Sequence, residues 1–323
     1  MQRNNYIALI VMTLPFLSSI YSCQAQSLSA IWKQSHTQTY KAPTSKELTE
    51  AEDLFRQHFK GHFEENHTRQ WKKLGFQAHA ITQNDNNFFV IREHAKQRHG
   101  RGFFIFSPTR KPGLALQAPH RYHDRYTGEI ALQLFINTPE IVAAAWNTTS
   151  RKTTDKNFNN ADLAHLSQSY FTAFALAFSG ENTNTITRTI TRTITSTTTQ
   201  TDSVSAMNMG NLIQLHGFAK EKRRTPQASS ADVIISSATN VPGKRILKIS
   251  QCLKNTTPFN VRIYPWDVQE LGGVTNTIAS ALRNTGSSAF VHIELNLATR
   301  KQLLNNATLR KRFSLCLPIG ESL

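Results

Sequence analysis

Histidines and carboxylates close three short apolar runs of this chain: Leu114-Ala-Leu-Gln-Ala-Pro-His120-Arg-Tyr-His123-Asp124, Leu212-Ile-Gln-Leu-His216-Gly, and Ala289-Phe-Val-His292-Ile-Glu294-Leu. Each run stops at a group able to bind a divalent metal or move a proton. A catalytic zinc needs about three protein ligands and one open position for a water, whose pKa it lowers to about 7. His120 and Asp124, four residues apart in one turn, suit a shared ion, and His216 adds a ligand from a distant run. A carboxylate outside the ligand set must take the proton from the water and pass it to the leaving amine. Glu294, at the third run, is the candidate base. Taken singly, each histidine also reads as a hydrogen-bonded structural residue, and Glu294 as a helix cap or a partner of Arg300.

For these groups to meet, the runs must be strands whose carboxyl ends converge on one crevice of an open α/β sheet. The pattern supports this. Ser45 to Phe59 has a capping serine, early acids and apolar residues at helical spacing. Leu74 to Ile81, Asn87 to Arg92, Gly102 to Phe106 and Leu114 to Ala118 read as strands. Thr127 to Phe135 then starts a helix and Ile141 to Trp146 returns as a strand, a strand-helix-strand unit. Ala161 to Phe178 has helical periodicity. Beyond it, strands are expected at Asn211 to Leu215, Asp232 to Ser236, Asn260 to Tyr264 and Ala289 to Leu295, with a loop between the second and third of these. Helices are expected mainly over Val268 to Asn284, where Gly272-Gly273 delays the start, and over Thr299 to Phe313. The fold class is therefore α/β, a three-layer sandwich around a mainly parallel or mixed sheet.

At 323 residues, one large domain accounts for the chain from residue 26 onward. Residues 1–25 have Arg3, an apolar stretch from Ile7 to Leu17 and a small-residue end at Cys23-Gln-Ala25, the pattern of a secretory signal peptide. That stretch is too short and too interrupted to span a bilayer. Ile20-Tyr-Ser-Cys23 faintly resembles the lipobox of bacterial lipoproteins, with lipid anchoring at Cys23 as the lesser alternative to a secreted or periplasmic protein. Residues 182–203 are a Thr-rich tract in which Ile and Arg share one face, so it reads as an exposed insertion.

The formal charge is +16, and +15 once Arg3 is removed with the leader. Such an excess favours anionic partners, peptide-like or cell-wall material among them. No nucleic-acid fold signature accompanies it, and the basic residues are scattered. With Cys23 in the leader, only Cys252 and Cys316 remain, enough for one disulfide and too few for a thiolate zinc cluster.

The order of these groups resembles the zinc carboxypeptidases and their relatives, the N-formylglutamate amidohydrolases and poly-gamma-glutamate hydrolases. Gln214-Leu-His216-Gly-Phe resembles an Ile-His-Gly stretch of the last family, and Glu294-Leu-Asn-Leu-Ala-Thr-Arg300 resembles its Glu-Leu-Ser-x-x-x-Arg ending. The likeness runs over residues 103–313. It implies one zinc ion on His120, Asp124 and His216, Glu294 as base, and Asn147 with Arg151 as a substrate clamp. His-x-x-x-Asp stands where those families have His-x-x-Glu, which leaves His123 as an alternative to Asp124. Glu129 is another, because N-acetylmuramoyl-L-alanine amidases draw a metal glutamate from the following helix. The clamp reads Asn147-Thr-Thr-Ser-Arg151 rather than adjacent Asn-Arg. The function so implied is a secreted zinc-dependent hydrolase of an amide or peptide bond in a carboxylate-bearing substrate. The alternatives are a cell-wall amidase using Glu129 and a non-catalytic basic envelope-binding protein.

Overall fold

The structure, a computed structural model, describes residues 27–110, 113–180 and 210–318. The leader at 1–25 and the Thr-rich tract at 182–203 lie outside the described residues. Among the described residues nine strands form one sheet: β1 Phe76–Gln83, β2 Asn86–Glu93, β3 Phe103–Phe106, β4 Leu114–Ala118, β5 Ile141–Trp146, β6 Leu212–Phe218, β7 Val233–Ser236, β8 Val261–Ile263 and β9 Phe290–Asn296. Their spatial order is β1-β2-β3-β5-β4-β6-β9-β7-β8. The four central strands β5, β4, β6 and β9 run parallel, while β1, β2, β3 and β7 join antiparallel, so the sheet is mixed.

Along the described chain the helices are α1 Leu28–Gln34, α2 Ser45–Phe59, α3 Glu65–Lys73, α4 Thr127–Asn137, α5 Tyr170–Gly180, α6 Pro226–Ser230, α7 Lys244–Thr256, α8 Thr277–Asn284, α9 Leu297–Asn305 and α10 Ala307–Leu315. They cover both faces. Apolar residues of α1, α4, α7, α9 and α10 share one core, and those of α2, α3, α5 and α8 share the other. Strand residues feed the two cores alternately, as the two-residue period of a strand requires: Phe88 and Val90 join the first, Phe89 and Ile91 the second. In α5, Phe171, Phe174 and Phe178 are fully buried at helical spacing, each ring contributing roughly 1.5–3 kcal/mol on leaving water. This is the expected three-layer α/β sandwich.

Several expected elements need correction. The helix read over Ala161 to Phe178 begins only at Tyr170, because Ser169 Oγ accepts the Thr172 N–H in the manner of an N-cap and Ala161 is bonded back to Thr153. Residues 161–169 are turns whose apolar members Leu163 and Ala164 are buried without a helix. The helix read over Val268 to Asn284 starts at Thr277, where the Asn276 side chain accepts from Ile278 and Ala279, after Leu271 and Gly273 take left-handed backbone. Thr299 to Phe313 is two helices rather than one, separated at Asn306, whose side chain caps α10. The loop expected between β7 and β8 contains α7, with Ile246, Ile249 and Leu253 buried at i, i+3 and i+7.

Cys252 in α7 and Cys316 just after α10 form a disulfide with Cα atoms 5.6 Å apart. Among the described residues no helix is long and apolar enough to cross a membrane.

Candidate metal centre

The chain leaves β4 for β5 on one side and later returns to β6 on the other, so the carboxyl ends of β4, β6 and β9 flank the point where connections reverse, the usual ligand crevice of such sheets. After Ala118 the chain turns tightly: the N–H groups of His123 and Asp124 both donate to the His120 carbonyl at 2.8 Å. This single turn puts the His120 and Asp124 side chains on one side. In the adjacent strands, His216 is in register with Glu294 and Gln214 with His292. The four side chains therefore share the sheet face that carries α5 and α8.

His120 Nδ1 and His216 Nδ1 lie 3.6 Å and 3.4 Å from the same oxygen, Asp124 Oδ2. Two ligands of a tetrahedral zinc, each at 2.0–2.1 Å, are about 3.3 Å apart, so the three donor atoms have the separations of one coordination shell. They all lie within 4.8 Å of one another and all three residues are buried.

The remote nitrogens are tied down. His120 Nε2 is 2.7 Å from Asp162 Oδ1, and a carboxylate only accepts, so Nε2 carries the proton. For His216 the same conclusion comes from a relay of amides. Gln117 Nε2 donates to the Phe171 carbonyl at 3.0 Å, Gln214 Nε2 donates to Gln117 Oε1 at 2.9 Å, and Gln214 Oε1 is left to accept from His216 Nε2 at 2.8 Å and from Asn276 Nδ2. A backbone carbonyl can only accept, which orients both glutamines. Both histidines thus leave Nδ1 facing the Asp124 oxygen as the nitrogen available to a metal, the outer-partner arrangement that metal-bound histidines use.

Burial disfavours charge on His120, but the carboxylates of Asp124 and Asp162 outweigh it and push its pKa up to about 9. Burial would raise Asp124, yet His120 and His216 hold it well below the usual carboxylate range. His216 is pushed down, chiefly by burial. His292 falls well below the ordinary range, again by burial and then by His216. Glu294 rises to about 8 because it is buried and faces the Asp124 charge. The anionic oxygen, the neutral His216 and a His120 that gives up its Nδ1 proton as the metal enters fit a divalent cation.

A cavity of about 500 Å³ opens over these groups, lined by His120, Asp124, His216, Glu294, Arg151 and Lys222 among others. Arg151 is half-buried there, and no hydrogen bond or ion pair with a described residue engages its guanidinium. His123 is exposed at the wall and stands outside the group of three donors. Glu129, in the first turn of α4, neither lines the cavity nor joins the donors. Asn147 is fully buried elsewhere: its Oδ1 accepts from the Arg121 backbone at 3.0 Å and its Nδ2 donates to the Thr149 carbonyl. The structure does not bring it to the cavity as a clamp; at the end of β5 it supports the turn that carries His120.

Arg300 holds the three site-bearing segments together. Its Nη1 donates to the Arg125 carbonyl at 2.7 Å, Nη2 to the Phe218 carbonyl at 3.2 Å and Nε to the Asn296 carbonyl at 3.3 Å. Those carbonyls follow Asp124, His216 and Glu294 by one or two residues. The guanidinium lies directly against Gly217, where any Cβ would collide with it. Sequence patterns do not show this strap, the amide relay or the pairing of Asp162 with His120, and they give His292 no role of its own. The alternation of Phe290, His292 and Glu294 was the available signal for the last.

Fold and site together define a mixed α/β protein with a buried His/Asp/His donor set suited to a metal. No protein-family model matches the chain, and no curated protein matches it. Among solved structures it is similar to a candidate metallopeptidase from Shewanella amazonensis, at 10% identity and TM-score 0.34 over 78% of this chain and 93% of that one. It is also similar to an aspartoacylase-family protein from Mesorhizobium loti, at 9% identity and TM-score 0.36 over 76% and 72% of the two chains. Likenesses this distant do not bear on the chemistry of the site, which rests on the chain's own residues.

Proposed function

We propose that this chain is a secreted zinc-dependent hydrolase that cleaves an amide or peptide bond in a carboxylate-bearing substrate. The observation that carries the reading is the convergence of His120 Nδ1 and His216 Nδ1 on Asp124 Oδ2, with both remote nitrogens committed and Glu294 opposite His216 in register. Two imidazoles and a carboxylate are a donor set that suits zinc. When bound, the ion lowers the pKa of a water and polarises the substrate carbonyl.

The chain's own residues do the rest. Asp124 and the two histidines hold the ion. Glu294, buried but reaching the cavity, takes a proton from the attacking water and delivers it to the departing amine nitrogen. Arg151 offers an uncommitted planar fork to a substrate carboxylate. The disulfide supports an oxidising compartment, consistent with the expected leader.

Glu294→Gln tests the reading. The variant should retain zinc and lose hydrolysis by about 10²–10⁴-fold. Full activity with zinc retained removes Glu294 from the mechanism, and wild-type protein that takes up no zinc overturns the metal reading itself.

A further inference from the structure

His292 takes no part in the proposed hydrolysis. It is buried, its ring centroid lies 4.6 Å from that of His216, and its Nε2 is 3.9 Å from Glu294 Oε1. Its Nδ1, like Glu294 Oε2, is shielded from solvent and makes no hydrogen bond to a described residue. Gly273 approaches the ring so closely that a Cβ there would press on it at 3.0 Å, which fixes the imidazole in place. His216, His292 and Glu294 each present a ligand atom within 4.8 Å of the others. Three converging donors, two of them on side chains more than nine-tenths buried with a polar atom that no described residue satisfies, are suited to a cation.

We propose that His216, His292 and Glu294 form a second divalent-cation position that competes with the first for His216 and, when filled, stops hydrolysis. The inference rests on the proposed role of Glu294 as base. Competition follows from the amide relay: His216 Nε2 is committed to Gln214, so the ring has one lone pair to give, at Nδ1. Inhibition follows because a carboxylate bound to a cation no longer accepts a proton from water. Two imidazoles with one carboxylate select a borderline ion such as zinc, cobalt or nickel over calcium or magnesium.

The test uses the full chain stripped with a chelator and titrated with cobalt(II) alone, bound metal being followed by elemental analysis and by visible absorption. Asp124→Ala should still bind one ion, weakened by about 10–100-fold, and Asp124→Ala/His292→Ala should bind it at least about tenfold more weakly again. His292→Ala alone should keep the first ion, and inhibition by excess zinc, measured relative to that variant's own activity, should need about tenfold more zinc. Circular dichroism checks folding, with His292→Asn as the milder substitution if alanine unfolds the chain. If the double variant binds cobalt as Asp124→Ala does, or if excess zinc inhibits His292→Ala as it inhibits wild type, the second position is overturned while the first stands. Wild type that binds no metal overturns both.

Discussion

Arg300 and Gly217 are in direct contact, the guanidinium occupying the space that a side chain at residue 217 would fill. From that place Arg300 bonds carbonyls beside all three site-bearing strand ends, one of them 175 residues away in the chain. Arg300→Lys keeps the charge but cannot reach three carbonyls in different directions, and Gly217→Ala displaces the guanidinium. Each should lower stability by about 2–4 kcal/mol in denaturant unfolding, through buried carbonyls left without donors or through overpacking. Equal unfolding midpoints for wild type and both variants would dismiss the strap.

Asp162 touches His120 from outside the donor set, at 2.7 Å. Asp162→Asn preserves shape but removes the charge that steadies the imidazole. Metal affinity should fall about 10–100-fold with the fold intact, as read by competition with a chromogenic chelator. Unchanged affinity would show that the contact does not act on the ligand.

His58 should contribute sensitivity to acid. Its Nδ1 donates to the His62 carbonyl at 2.8 Å and its Nε2 accepts from Trp71 Nε1 at 2.9 Å, an arrangement that only a neutral ring permits. Burial pushes its pKa down to about 3. Because the folded value lies below the unfolded one, near 6.5, the unfolded chain binds the proton more readily between them. This stabilisation is full above pH 6.5 and is lost as pH falls toward 3, an effect on the order of 5 kcal/mol at most. His58→Gln should flatten the dependence of the urea midpoint on pH over that window, with Trp71 contributing to the fluorescence signal; an unaltered slope would place the acid sensitivity elsewhere.

The disulfide joins residues 64 positions apart, α7 to the segment after α10. Paired Cys252→Ser and Cys316→Ser substitutions should lower stability by about 4 kcal/mol, mostly by freeing the unfolded chain. Midpoints in guanidinium with and without reductant give the comparison, and equality would mean the cross-link constrains little.

How much of the molecule is legible in its sequence depends on the range of the forces involved. Strand ends at His120, His216 and Glu294 are legible because period-two alternation and flanking turns are local properties. The same holds for the helical spacing of α2, although its cap is Thr44, boxed with Glu47, and not the serine that follows it. Residues 161–169 mislead because buried Leu163 and Ala164 mimic a helical stripe while Asp162 is drawn to His120, 42 residues away. Asn147 misleads in the same way, since its amide partners are backbone groups that only the folded turn supplies. Arg300 reads as a partner of Glu294 until the remote carbonyls of Arg125 and Phe218 are brought to it.

The relay from the Phe171 carbonyl through Gln117 and Gln214 gives α5 a say in chemistry on the far side of two strands. A helix peptide group, with no choice but to accept, determines which nitrogen of His216 is basic. The identity of the tautomer is thereby tied to the backbone of a neighbouring layer, and reversing one amide along the line, its oxygen and nitrogen exchanging places, would turn the ring's donor face toward the ion.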